Sequence, residues 1–146
     1  MKLDNLLGRT LETVEPDAAT IGRLLEASQN SLADAQLSQL SNEGKFDLAY
    51  KAIMQAANAA LQANGFRTLT SKPGHHQTMI QTLPTTIGLD NALMILLDQM
   101  RKQRNVIDYS GDLVSALLAD EALRQAGMLH AKVIEWLRMH RPDLLV

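Results

Sequence analysis

Between Phe46 and Leu61 the apolar side chains return at steps of three and four: Phe46, Ala49, Tyr50, Ile53, Ala57, Ala60 and Leu61, with Met54 beside them. That spacing lines one face of a helix and gives a strand no consistent side to bury. Asn64-Gly65 follows, and Gly readily supplies the left-handed residue that closes a helix. The small residues Ala56, Ala57, Ala59 and Ala60 let a neighbouring helix approach closely. This is the clearest helix in the sequence.

The same period recurs elsewhere. A short N-terminal segment from Leu3 to about Glu12 reads as helical. Pro16 breaks it, and Asp17 caps a helix from Ala18 to about Leu40 with Ile21, Leu24, Leu25, Ser28, Leu32 and Ala35 in one stripe. Ser41 or Asn42 caps the Phe46 helix. Thr68 to Gly74 reads as a loop, and a short helix follows from His75 to Leu83, with Met79, Ile80 and Leu83 inward. Pro84 to Gly88 is a break. Asp90 then caps a helix to about Asp108 with Leu93, Leu96, Leu97 and Met100 as its stripe, closed by Tyr109-Ser110-Gly111. Asp112 is the expected cap of a last long helix to about His140, carrying Leu113, Val114, Leu117, Leu118, Leu129, Val133, Trp136 and Leu137. No strand pattern emerges. The expected fold is all-α, an up-and-down bundle of four main helices plus one or two short helices. It forms a single domain over residues 1–146 with its core at about 18–140.

Composition narrows the function. Aromatics are only 3% of the 146 residues, which favours helices over a β-sandwich. A net charge of −2 argues against a strongly basic nucleic-acid binder at the whole-chain level, though not against a local basic patch. The absence of Cys removes disulfides, zinc-thiolate sites, iron–sulfur clusters and Cys nucleophiles. No signal-peptide pattern or apolar run of about 20 residues is present, so the expectation is a cytoplasmic protein with no membrane association. No phosphate loop, dinucleotide fingerprint or Gly-x-Ser-x-Gly elbow occurs, and no His-Glu-x-x-His pattern. His75 and His76 point apart on a helix and read as exposed imidazoles. The expectation is therefore no metal and no cofactor.

The most informative stretch is Gln99 to Tyr109. Arg104 lies roughly 20° around the helix from Leu93, between Leu97 and Met100, inside the apolar stripe. A guanidinium cannot be buried alone, so it must pair with a carboxylate, cap carbonyls or face a cleft. Asp108, four residues on, can reach it and hold the helix end. The alternative is a functional polar cluster of Arg104, Asn105, Asp108 and Tyr109 at a helix terminus. Arg101 and Lys102 add positive charge, ordinarily on a solvated face. Asp47 and Lys51 have the spacing of a solvent-exposed ion pair. If their helix faces Arg104 across a cleft, Asp47 is a candidate partner for it.

Arg104-Asn105-x-x-Asp108-Tyr109 at the end of an amphipathic helix resembles the HEPN family (higher eukaryotes and prokaryotes nucleotide-binding domain). So does the order of segments before it: Phe46 to Ala52 running into small residues and a Gly turn, then the Pro73-Gly74-His75-His76 loop and a short helix. The likeness covers about residues 20–140. It implies a small helical bundle, a homodimer, and a role in toxin–antitoxin, CRISPR-linked or RNA-defence systems, with RNA or a nucleotide as ligand and a nucleotidyltransferase-like protein as a possible partner. Catalytic members are metal-independent RNases with an Arg, a polar residue and, after four to six intervening residues, a His. Here Arg104 and Asn105 match, but Tyr109, Ser110 and Gly111 occupy the His positions. Tyr109, with a reference pKa near 10, is a poor general base, which leaves catalysis open. Arg124 and His130 have a matching separation, but eight Arg and four His produce such a spacing readily by chance. Two other readings stand beside a phosphate- or nucleotide-binding module: a homodimeric structural or regulatory interaction protein in which Arg104 and Asp108 form a polar lock, and a metal-independent RNase. Leu89 and Ile107, outside the main stripes, are the apolar residues expected to be left for a dimer surface.

Overall fold

The computed structural model describes residues 2–71 and 73–145. It is an all-α bundle of six helices, α1 (Ala18–Asp34), α2 (Asn42–Ala63), α3 (His75–Gln81), α4 (Leu83–Thr86), α5 (Asn91–Ser110) and α6 (Ala116–His140), with two strands, β1 (Leu11–Thr13) and β2 (Phe66–Thr68). The four long helices are those expected. Asp17 caps α1 by accepting from Thr20 N–H, Ser41 caps α2 through Gly44 N–H, and Asp90 caps α5 through Ala92 N–H. Gly65 and Gly111 take φ +90° and +70° just past α2 and α5, a conformation in which a Cβ would be strained.

α2 is the central element, packed between α1 and α6. Its alanines are buried right around the helix, among them Ala49, Ala52, Ala56, Ala59, Ala60 and Ala63, so two neighbours approach it from different sides. A larger side chain at one of these positions has no space and would cost about 1–3 kcal/mol. Lys45 near the start of α2 pairs with Asp120 near the start of α6, so these two helices run parallel. α1 and α5 run antiparallel to them: Ser28 of α1 meets Ala52, and Arg104 near the end of α5 meets Asp47 near the start of α2. Phe46, Ile21, Ile53, Leu61, Ile80, Leu83, Leu97, Leu129, Val133 and Leu137 form one contiguous core. No helix among the described residues is long and apolar enough to cross a membrane.

Several expectations are corrected. Leu3–Glu12 is not a helix: a 3-10 turn covers Leu3–Leu6, and Leu11 is fully buried in β1. β1 pairs antiparallel with β2, Leu11 opposite Thr68 and Thr13 opposite Phe66. Three-residue strands are too short to show alternation, so the sequence hides them. α1 stops at Asp34, where its stripe ends at Ala35; Leu37 beyond it is exposed. Pro84 does not simply break the chain. It sits in the first turn of α4, where no N–H is needed. α6 is capped by Ser115, not Asp112, leaving Leu113 and Leu117 in solvent. Leu89 is buried and Ile107 packs against the core, so neither is spare apolar surface. The large apolar side chains that do stand exposed include Leu37, Val106, Leu113 and Leu117.

Candidate functional site

A groove of ≈ 330 Å³ opens between the first half of α2, the start of α3 and the second half of α5. Asp47, Leu48, Tyr50, Lys51 and Met54 line it from α2, His76 from α3 and Arg104 from α5. The helical period of α2 explains this wall: Asp47, Tyr50, Lys51 and Met54 follow one another at steps of three and one, and Gln55 at its edge accepts from Ser31 Oγ of α1.

Arg104 is half-buried at the rim. Its Nε donates to Asp47 Oδ1 at 3.3 Å, and its Nη1 lies 3.8 Å from Asp108 Oδ2. The guanidinium carbon sits 4.9 Å from the centre of the Tyr50 ring, within cation–π range. Nη2 makes no hydrogen bond among the described residues, and Arg104 lines the groove. Asp47 turns to Arg104 rather than to Lys51, so the cross-cleft pairing applies and the intrahelical one does not.

Tyr50 is buried, with its hydroxyl 3.2 Å from His76 Nδ1. Burial is the main cause of a phenol pKa pushed up to about 12; Arg104 and Arg101 pull the other way and Asp98 adds to the rise. His76 is lowered below the usual imidazole value, first by burial, then by His75, Arg104 and Arg101. His75 and His76 meet edge to face with ring centres 4.6 Å apart, so the expectation of two exposed imidazoles is replaced by a half-buried pair.

The remaining predicted residues divide. Asp108 is exposed but reaches Arg104. Asn105 and Tyr109 are exposed and do not line the groove; Tyr109 stands 95% exposed. Arg101 is not on a solvated face: its Nε donates to Asp98 Oδ1 at 2.8 Å, with Gln81 Nε2 donating to Asp98 Oδ2. Burial pushes the Asp98 carboxyl up, but the Arg101 hydrogen bond and charge, Gln81 and Lys102 outweigh it and leave the pKa lowered. Arg124 pairs with Glu121 and His130 bonds Ser28, so the chance Arg–His spacing brings nothing together.

Sequence reasoning missed Tyr50, His76 and Asp98. The available signal was polar atoms on apolar stripes: a Tyr hydroxyl on the buried face of α2 needs a partner, and a His two residues past Gly74 is a candidate for it. Among the described residues no three His, Asp or Glu side chains gather as a metal site. A groove of similar size, ≈ 360 Å³, lies against Trp136 and His140 on α6, and none of the predicted site residues lines it. Comparison with protein-family models, with curated proteins and with solved structures gives no match to this chain.

Proposed function

We propose that this chain is a HEPN-like helical module that binds the phosphate of RNA or a nucleotide in the α2–α3–α5 groove, with Arg104 as the cation. One observation carries the reading: Arg104 lines the groove, anchored by Asp47 and resting on Tyr50, yet its Nη2 makes no hydrogen bond among the described residues. A fixed, partly desolvated guanidinium suits a phosphate, because its planar fork of donors matches oxyanion geometry. Lys51 adds a second positive charge to the lining. The reading includes a homodimer and an association with RNA-defence or toxin–antitoxin partners, resting on the resemblance in the Arg104-Asn105 segment. RNA cleavage by the family's route has no His at its expected place. Tyr109, which holds that place, is outside the groove.

Binding is measured with uridine 5′-monophosphate and with hexauridine across a salt series, since phosphate contacts weaken as salt rises. Arg104→Ala should reduce affinity at least about tenfold, the effect of losing a charge-assisted contact. Its melting temperature should stay close to wild type, because a half-exposed ion pair contributes little to stability. The second reading, a polar lock in an interaction protein, is favoured by the span of Arg104 from α5 to α2. It wins if Arg104→Ala lowers the melting temperature by many degrees and neither probe binds wild type.

A further inference from the structure

This inference rests on the phosphate-site reading and adds to it two residues from other helices. The Tyr50 hydroxyl has one partner among the described residues, His76 Nδ1 at 3.2 Å. Tyr50 is only 4% exposed, and a buried hydroxyl hydrogen needs an acceptor. Nδ1 accepts only when it carries no proton, and a neutral imidazole then holds its proton on Nε2. The groups around the ring favour the neutral form. Tyr50 faces it from α2, Arg101 and Arg104 act on it from α5, and His75 touches it on α3. The nearby carboxylates are engaged elsewhere, Asp98 by Arg101 and Lys102 and Asp47 by Arg104. His76 lines the same groove as Arg104 and Lys51.

We propose that His76, held by Tyr50 in the tautomer with its proton on Nε2, is a second hydrogen-bond donor to the phosphate bound at Arg104, and that Tyr50 is a positioning residue. A neutral N–H beside a guanidinium suits this groove. It adds a donor without placing another full positive charge next to Arg101 and Arg104. The Tyr50 ring thus serves Arg104 with its face and His76 with its hydroxyl, tying both donors to one α2 side chain.

The test uses the full chain with inorganic phosphate, uridine 5′-monophosphate and a hexauridine lacking terminal phosphates. Nitrogen-15 imidazole spectra should show His76 as the Nε2–H tautomer. His76→Ala should weaken binding about fivefold at neutral pH, the loss expected for one neutral hydrogen bond. His76→Gln, which places an amide N–H near the Nε2 position, should recover most of it. Tyr50→Phe keeps the ring under Arg104, and should turn the His76 signals into a tautomer mixture and weaken binding a few-fold. Binding of the monophosphate but not the hexauridine identifies a phosphate monoester as the ligand, and the reverse identifies the RNA backbone; both patterns keep the proposal. An Nδ1–H tautomer in wild type overturns it. So does unchanged binding in His76→Ala where Arg104→Ala has lost binding, a result that leaves the Arg104 reading intact. Failure of wild type to bind all three probes overturns both.

Discussion

Arg101 and Arg104 lie three residues apart on α5, and each donates through Nε to an aspartate. The Arg101–Asp98 pair is 2.8 Å long with side chains 14% and 10% exposed; Arg104–Asp47 is 3.3 Å long at 32% and 45%. The first is closed. Gln81 and Lys102 also engage Asp98, and neither Arg101 nor Asp98 lines the groove. The second is open on a groove, with part of the guanidinium uncommitted. The imidazoles repeat the contrast. His130 Nδ1 lies 3.1 Å from Ser28 Oγ, and because that hydroxyl donates its hydrogen to Ala52 O at the helix seam, Nδ1 is the donor to it; no cation bonds either group among the described residues. His76 also meets a hydroxyl through Nδ1, but with the opposite direction of donation in our reading, and it stands beside Arg104 in a groove. In each comparison the partner types are alike; what differs is whether the residue lines a groove once the bond is made, and that separates a structural contact from a candidate binding one.

The largest test breaks the closed pair. Asp98→Ala leaves Arg101 nearly buried without its carboxylate and should cost about 3 kcal/mol in chemical denaturation, the range for one partner lost from a buried pair. A loss well below 1 kcal/mol would show that Arg101 escapes to water and that the two arginines are alike. Acid is the next probe. His76 and His130 are both held below the ordinary value of 6.5, burial being the first cause in each. Above about pH 6.5 folded and unfolded chains both carry them neutral. Below it the unfolded chain takes up protons that the folded chain refuses, so stability falls as pH falls toward the lowered folded values. The melting temperature should therefore drop from pH 7 to pH 5, and the drop should shrink in His130→Gln and shrink further when His76→Gln is added. A pH-independent melting temperature in wild type would remove the burial argument for both rings.

The open pair should respond weakly. Asp47→Asn should change stability by no more than about 1 kcal/mol, as for other exposed ion pairs. A cost equal to that of Asp98→Ala would make Arg104 a lock. The smallest effect belongs to Tyr109→Ala. At 95% exposure and outside the groove, the side chain should alter stability by less than about 0.5 kcal/mol and leave phosphate affinity unchanged. A loss of binding there would move the site to the tip of α5.

Much of the fold was legible in single side chains and short spacings. Asp17, Ser41 and Asp90 cap where their position before an apolar stripe indicates, and the alanines of α2 mark the close seams. The N-terminal region was not legible, because β1 exists only by pairing with β2 more than fifty residues away. Ser115 was passed over for Asp112 because both are good caps, and the exposure of Leu113 and Leu117 is set by where the chain must turn. Within the site, the charge on the stripe pointed to Arg104 and the cleft condition to Asp47, while Arg101 was misplaced in solvent.

Local periodicity and capping chemistry depend on neighbours within a turn or two, so the order of residues alone determined the four long helices, the close approach that the alanines of α2 allow and the need of Arg104 for a partner. That Arg104 turns to Asp47, and that Tyr50 and His76 join it at one groove, depend on how α2, α3 and α5 cross. Those distances are set by the packing of the whole core, and no spacing along the chain encodes them.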